Sequence, residues 1–159
     1  MKKKIAWLAI LGLAITVAAW MLWPRSLSSG LGSNDVLSGF VMTLRIEQIR
    51  NDEGILSSQP NNSIESYHDI AADSDTAASI REILNRCTYH LCLESLTGKQ
   101  SLSDIGSLQV NLYTQGNWEF RVFNGTAKCF LNNRIVTISG GRKGAEQLCE
   151  KLAAALRAS

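Results

Sequence analysis

The hydrophobic pattern of the chain begins with a run that no charge interrupts, the 19 residues from Ile5 to Trp23, preceded by Lys2, Lys3 and Lys4 and closed by Pro24 and Arg25. At about 1.5 Å of rise per residue it makes a helix of roughly 28 Å, close to the ~30 Å of a bilayer's hydrocarbon core. With three lysines before the run and one arginine after it, the positive-inside rule puts the N-terminus in the cytoplasm and everything from Ser26 onward outside. Trp20 and Trp23 fall where indole rings favour the headgroup boundary. Residues 1–25 are therefore expected to be a signal anchor that holds the chain in the cell membrane as a single pass. Val17-Ala18-Ala19 offers the small residues a signal peptidase reads, so secretion after cleavage near Ala19 is the alternative.

Ser26 to Ser38 carries serine and glycine without an apolar period and predicts a flexible tether over 26–38. From Phe40 the pattern turns to strict alternation, with Phe40, Met42, Leu44 and Ile46 on one side and Val41, Thr43, Arg45 and Glu47 on the other, as in a half-buried strand. Asn51-Asp52-Glu53-Gly54 predicts a turn, Ile55-Leu56 a return strand, and Ser57 to Ser63 an exposed loop. After a short strand at Tyr67 to Ile70, Ile80, Ile83, Leu84 and Cys87 mark one face of a helix that starts near Asp73 or Asp75. Tyr89 to Leu96 alternates as a strand, and Thr97 to Gly106 reads as a loop.

From Leu108 to Ser139 the sequence predicts an antiparallel meander. Leu108, Val110 and Leu112 pair with Trp118, Phe120 and Val122 if Gln115-Gly116-Asn117 is a three-residue turn with a left-handed residue. Asn124-Gly125 permits a two-residue turn that sets Phe120 near Cys129, and Asn132-Asn133 another that sets Cys129 near Val136. A last helix, from about Arg142 to Leu156, carries the stripe Ala145, Leu148, Cys149, Leu152 and Leu156. The expected fold is α+β: an N-terminal transmembrane helix, then over 39–159 a two-layer extracytoplasmic domain with an antiparallel sheet and two helices on one face. The bare face then shows Tyr113, Phe123, Phe130 and Ile135, a candidate partner surface. Its alternative is burial of that face by the segment from Phe40 to Leu56.

Charge changes this picture little. The net of +2 falls to −2 once Lys2, Lys3, Lys4 and Arg25 are set aside, leaving 12 basic against 14 acidic residues. Such a domain has no electrostatic footprint for nucleic acid. All four cysteines lie on the outer side, where thiols oxidise in pairs, and side-chain direction favours Cys87 with Cys92 and Cys129 with Cys149 over the other connectivities. Buried, reduced cysteine is the alternative. Cys87-Thr88-Tyr89-His90-Leu91-Cys92 gathers two thiols and an imidazole, but its order matches no common zinc spacing, and the C-x-x-C of a thiol oxidoreductase is missing. Gly140-Gly141-Arg142-Lys143-Gly144 lacks the spacing of a P-loop and reads as a strand-to-helix connector. The carboxylates are scattered singly. No catalytic residue, metal or cofactor is predicted.

The helix ending in Arg86-Cys87-Thr88-Tyr89, the meander and the terminal helix after a Gly-rich turn resemble, over Tyr67 to Leu156, small membrane-anchored or lipid-modified extracytoplasmic domains of unknown function from Gram-positive bacteria. The resemblance implies a cell-envelope setting and no mechanism. Two functions follow as expectations. The first is a non-enzymatic binding or accessory module that contacts a protein, peptide or envelope component, with the membrane itself held through residues 5–23. The second is an envelope enzyme with an unrecognised active site.

Overall fold

The computed structural model describes residues 2–50, 56–97 and 106–158, without the side chains of 2–6, 49–50, 56–57 and 59. The elements in order are α1 (Lys2–Leu22), β1 (Arg25–Ser26), β2 (Leu37–Arg50), β3 (Leu56–Ile70), α2 (Asp75–Asn85), β4 (Thr88–Leu91), α3 (Leu93–Thr97), β5 (Leu108–Thr114), β6 (Glu119–Phe123), β7 (Lys128–Leu131), β8 (Arg134–Ile138) and α4 (Gly141–Arg157). The strands form one antiparallel sheet of eight in the order β1-β4-β8-β7-β6-β5-β2-β3. The architecture is α+β.

One face of the sheet is covered by α4, with α2 packed beside it. Ala145, Leu148, Cys149, Leu152 and Leu156 of α4 and Ala77, Ile80 and Leu84 of α2 are buried against Val41, Val110, Leu112, Phe120, Val122, Cys129 and Val136. The helical stripes are those the 3.6-residue period marks out. Ser74 caps α2 by accepting a bond from the Ala77 amide at 3.2 Å, and removes one of the unpaired donors at a helix start. At the start of α4, Gly144 lies so close to the chain before it that a Cβ there would stand 2.6 Å from the Ser139 carbonyl oxygen.

The meander has the expected elements and one altered register. Leu112 pairs with Phe120 and Val110 with Val122, the Thr114 amide donates to the Trp118 carbonyl at 2.9 Å, and Asn117 has φ 68°. Asn132 and Asn133, at φ 48° and 62°, form the two-residue turn that sets Cys129 opposite Val136. Between β6 and β7 the connection is longer than Asn124-Gly125 predicts, and Phe120 lies opposite Leu131 instead of Cys129. A shift of two residues keeps every side chain on its own face. The core is thus unaffected.

Three expectations need correction. The segment 26–38 is fastened, not a free tether: Arg25 and Ser26 pair with Tyr89 and Thr88, and Leu27 and Leu37 are wholly buried. Arg81 adds bonds to the carbonyls of Ala72 and Asp35 at 2.7 and 2.8 Å. The stretch 57–63 is strand, not loop, because β3 is an end strand with a free side on which Pro60 costs no ladder bond. The strand predicted over Tyr89 to Leu96 stops at Leu91, where the chain turns into α3. The predicted turn at residues 51–54 and most of the loop between Thr97 and Gly106 lie outside the described residues.

Helix α1 covers the predicted run from Ile5 to Leu22 and stops one residue before Trp23, with apolar residues all round its circumference. Among the described residues no helix is long and apolar enough to cross a membrane. The Arg25 guanidinium caps the helix end, donating to the Trp20 carbonyl at 3.0 Å while lying over the Trp20 ring.

Candidate functional site

The second sheet face is built by cross-strand rows. Phe40 stands opposite Asn111, Asn111 opposite Arg121, Arg121 opposite Phe130 and Phe130 opposite Ile135. A parallel row joins Met42 to Gln109 and Gln109 to Phe123. Strand β5 pairs with β2 from Leu37 to Thr43 and Leu44 adds a bond to Ser107, so among the described residues the ladder of β2 with β3 continues alone past Leu44 as a two-stranded arm, from Arg45 opposite Asn61 to Arg50 opposite Leu56. About six residues at ~3.3 Å give it a length of about 20 Å.

The arm is amphipathic in an unexpected sense. Alternation along β2 is as predicted, but Val41 is the residue that joins the helix-covered core, at 0% exposure. Phe40, Met42, Leu44 and Ile46 therefore face the other way, joined by Ile64 opposite Met42. Ile46 is 80% and Ile64 59% exposed, while Phe40, Met42 and Leu44 are half-buried. The stripe leads into a groove of about 540 Å³ lined by Phe40, Asn111, Tyr113, Glu119 and Arg121. Its size is that of an ordinary ligand cleft. Arg121 pairs with Glu119 at 2.8 Å and lies over the Phe130 ring at 5.3 Å, so the groove holds one matched pair of charges between aromatic walls. Asn111, 5% exposed, accepts a bond from the Gln109 amide at 2.8 Å.

The predicted partner surface is divided by the fold. Tyr113 is exposed at the rim of the groove, and Phe130 is half-buried under Arg121. Phe123 and Ile135 are 4% and 1% exposed and are core residues of the second face. The reason is local: Phe123 packs edge-on against Phe130 at 6.2 Å, and α3 packs on β8, where Cys92 and Ser95 both donate to the Ile135 carbonyl. Glu94 of α3 pairs with Lys128, which draws its carboxyl down to about 2.

All four cysteines are free thiols. The expected bridge of Cys87 to Cys92 fails because the extended strand β4, Thr88–Leu91, separates them. Five steps at about 3.3 Å put them roughly 16 Å apart, against the ~7 Å that a disulfide tolerates. Cys129 and Cys149 do face the same core layer, both at 0% exposure. No bond joins them, and the Cys149 thiol donates instead to the Leu108 carbonyl at 3.5 Å. Burial raises the Cys129 thiol far above its ordinary range and pushes Cys149 up to about 12.

No protein family, curated protein or solved structure matches this chain. The resemblance to anchored Gram-positive domains gains no support from them, and the site must be read from its own chemistry. Phe40, Met42, Leu44, Ile46, Ile64 and Arg121 are the residues that sequence reasoning did not place on it. One signal was present: Arg45 and Glu47 share a side with Val41, and charges there show that the core side of β2 ends where the sheet ends.

Proposed function

We propose that this chain is a membrane-anchored extracytoplasmic binding module, non-enzymatic, which holds a protein or peptide partner on its second sheet face. The observation that carries the reading is the apolar stripe Phe40, Met42, Leu44, Ile46 and Ile64, in which Ile46 on the arm and Ile64 at its base stand 80% and 59% exposed. Contiguous exposed apolar surface of this kind marks an interaction site. What supports the location is α1. Trp7, Leu8, Leu11, Leu13, Ile15 and Leu22 are all exposed, on every side of the helix, and a helix apolar all round needs an apolar medium. Because Arg25 and Ser26 already belong to the sheet, the domain sits directly on the anchor with no slack.

The groove beside the stripe gives the enzyme alternative its best footing. Its titratable groups are Glu119, Arg121 and Tyr113, and the first two neutralise each other, an arrangement suited to holding a ligand rather than to moving protons.

The test is crosslinking in intact cells with a tagged full chain, comparing wild type with Ile46→Asp. The module reading predicts a captured partner that the substitution removes, with membrane fractionation unchanged. Capture indifferent to Ile46→Asp would reject the stripe as the contact.

A further inference from the structure

Among the described residues the end strand β3 has a free side, and the backbone polarity there follows position by position. The Leu44 amide donates to the Ser107 carbonyl at 2.7 Å, toward β5. In an antiparallel ladder successive residues point their N–H and C=O groups to opposite sides, so Val41, Thr43 and Arg45 bond to β3 through their partners Glu65, Ser63 and Asn61. The intervening positions Ser58, Pro60, Asn62, Ile64 and Ser66 therefore point theirs outward. Pro60 lacks an N–H, and beyond Tyr67 the strand loses its register, with Asp69 at φ 53°. What remains, among the described residues, is a short unpaired edge from Asn62 to Ser66, bounded at both ends.

We infer that this edge pairs with the same edge of a second copy of the chain, antiparallel about a two-fold axis at Ile64. That register sets Ile64 against Ile64, Asn62 against Ser66 and Ser63 against Glu65, with Pro60 and His68 opposite each other outside the paired segment. No like charges stand directly opposite each other. A register one step along sets Glu65 directly against Glu65 instead, and like charges opposite each other destabilise a ladder. β3 carries no charge at all from Leu56 to Ile64, although charged side chains are a common guard on free edges. Two bonds at each of three residue pairs give about six backbone hydrogen bonds. Two copies anchored in one membrane meet at high effective concentration, and this part of the argument rests on the anchored reading above. Pairing joins the two apolar stripes into one surface twice as wide.

The test uses the full chain, in native membranes and in detergent micelles. Outward residues opposite each other have Cα atoms about 5.5 Å apart, within disulfide range. Ile64→Cys should give a covalent dimer on mild oxidation, while Ile46→Cys and the wild type, with its native thiols, give none. Light scattering in micelles should show two copies for the wild type and one for Ile64→Lys, a substitution at an exposed site that brings two ammonium groups together at the axis. Ser66→Pro removes an outward donor and no bond to β2, so it too should yield single copies with the fold retained. A wild type that stays single, or an Ile64→Cys chain that does not crosslink above the wild type, overturns the inference. If the chain fractionates with membranes and still fails to crosslink, the dimer is wrong and the anchor stands. If it crosslinks in micelles but is recovered free of membranes, the anchor is wrong and the dimer stands.

Discussion

Leu37 and Ile46 lie on one strand, an odd number of positions apart, and the fold puts them on opposite faces with opposite energetic weight. Leu37 is 0% exposed in the core beneath the helices, and Ile46 is 80% exposed on the arm. Truncating Leu37 to alanine removes three carbons at about 0.8 kcal/mol each, roughly 2.4 kcal/mol of transfer energy, and the residual cavity raises the loss to about 3 kcal/mol. For Ile46→Ala only about a fifth of the side chain leaves water on folding, which limits the loss to about 0.5 kcal/mol. In a domain of this size the first change lowers the thermal midpoint by about 10–15 °C and the second by at most a few degrees. Calorimetry or near-UV circular dichroism of the full chain in micelles reads both. Equal losses, or a greater loss for Ile46→Ala, would show that the stripe of Phe40, Met42, Leu44 and Ile46 is the core side of β2 and would remove the basis for the binding surface.

Two further outcomes follow from the chemistry of the sheet edges and the thiols. Arg157 of α4 holds the Glu65 carboxylate through two bonds at 2.9 and 2.6 Å, and Tyr67 adds a third at 3.0 Å, which lowers the Glu65 carboxyl to about 2. A folded-state value below the unfolded one means stability that is full above about pH 4.5 and lost as pH falls toward 2; Arg157→Gln should lessen the drop in thermal midpoint across that window, and an identical acid profile would refute the linkage. With all four cysteines free, a reductant should leave the thermal midpoint unchanged, and a thiol reagent should modify the half-buried Cys87 and Cys92 before the buried Cys129 and Cys149; a disulfide found by mass spectrometry in the purified chain would contradict this.

Much of the fold is local and was legible in the sequence. The stripes of α2 and α4 follow from a 3.6-residue period, and two of the meander's strand pairings, β5 with β6 and β7 with β8, follow from turns whose residues tolerate positive φ, at Asn117 and at Asn132 and Asn133. The continuous apolar run determined α1. Where a two-residue and a longer turn were both compatible with the alternation, between β6 and β7, the register remained open, since a shift of two residues leaves the burial pattern as it was. The tertiary structure decided what depends on distant neighbours. Alternation divides β2 into two sides, but only the arrival of α4 over Val41 determines which side is core and leaves Ile46 in the open. Pro60 reads as a strand breaker until the sheet order makes β3 an end strand, whose free side needs no amide from it. Cys87 and Cys92 are near in sequence, yet β4 runs extended between them and holds them apart. Periodicity is a property of one segment and can be read there, whereas the face that is buried, the edge that is free and the thiols that meet are properties of pairs of segments, and only the folded chain brings those pairs together.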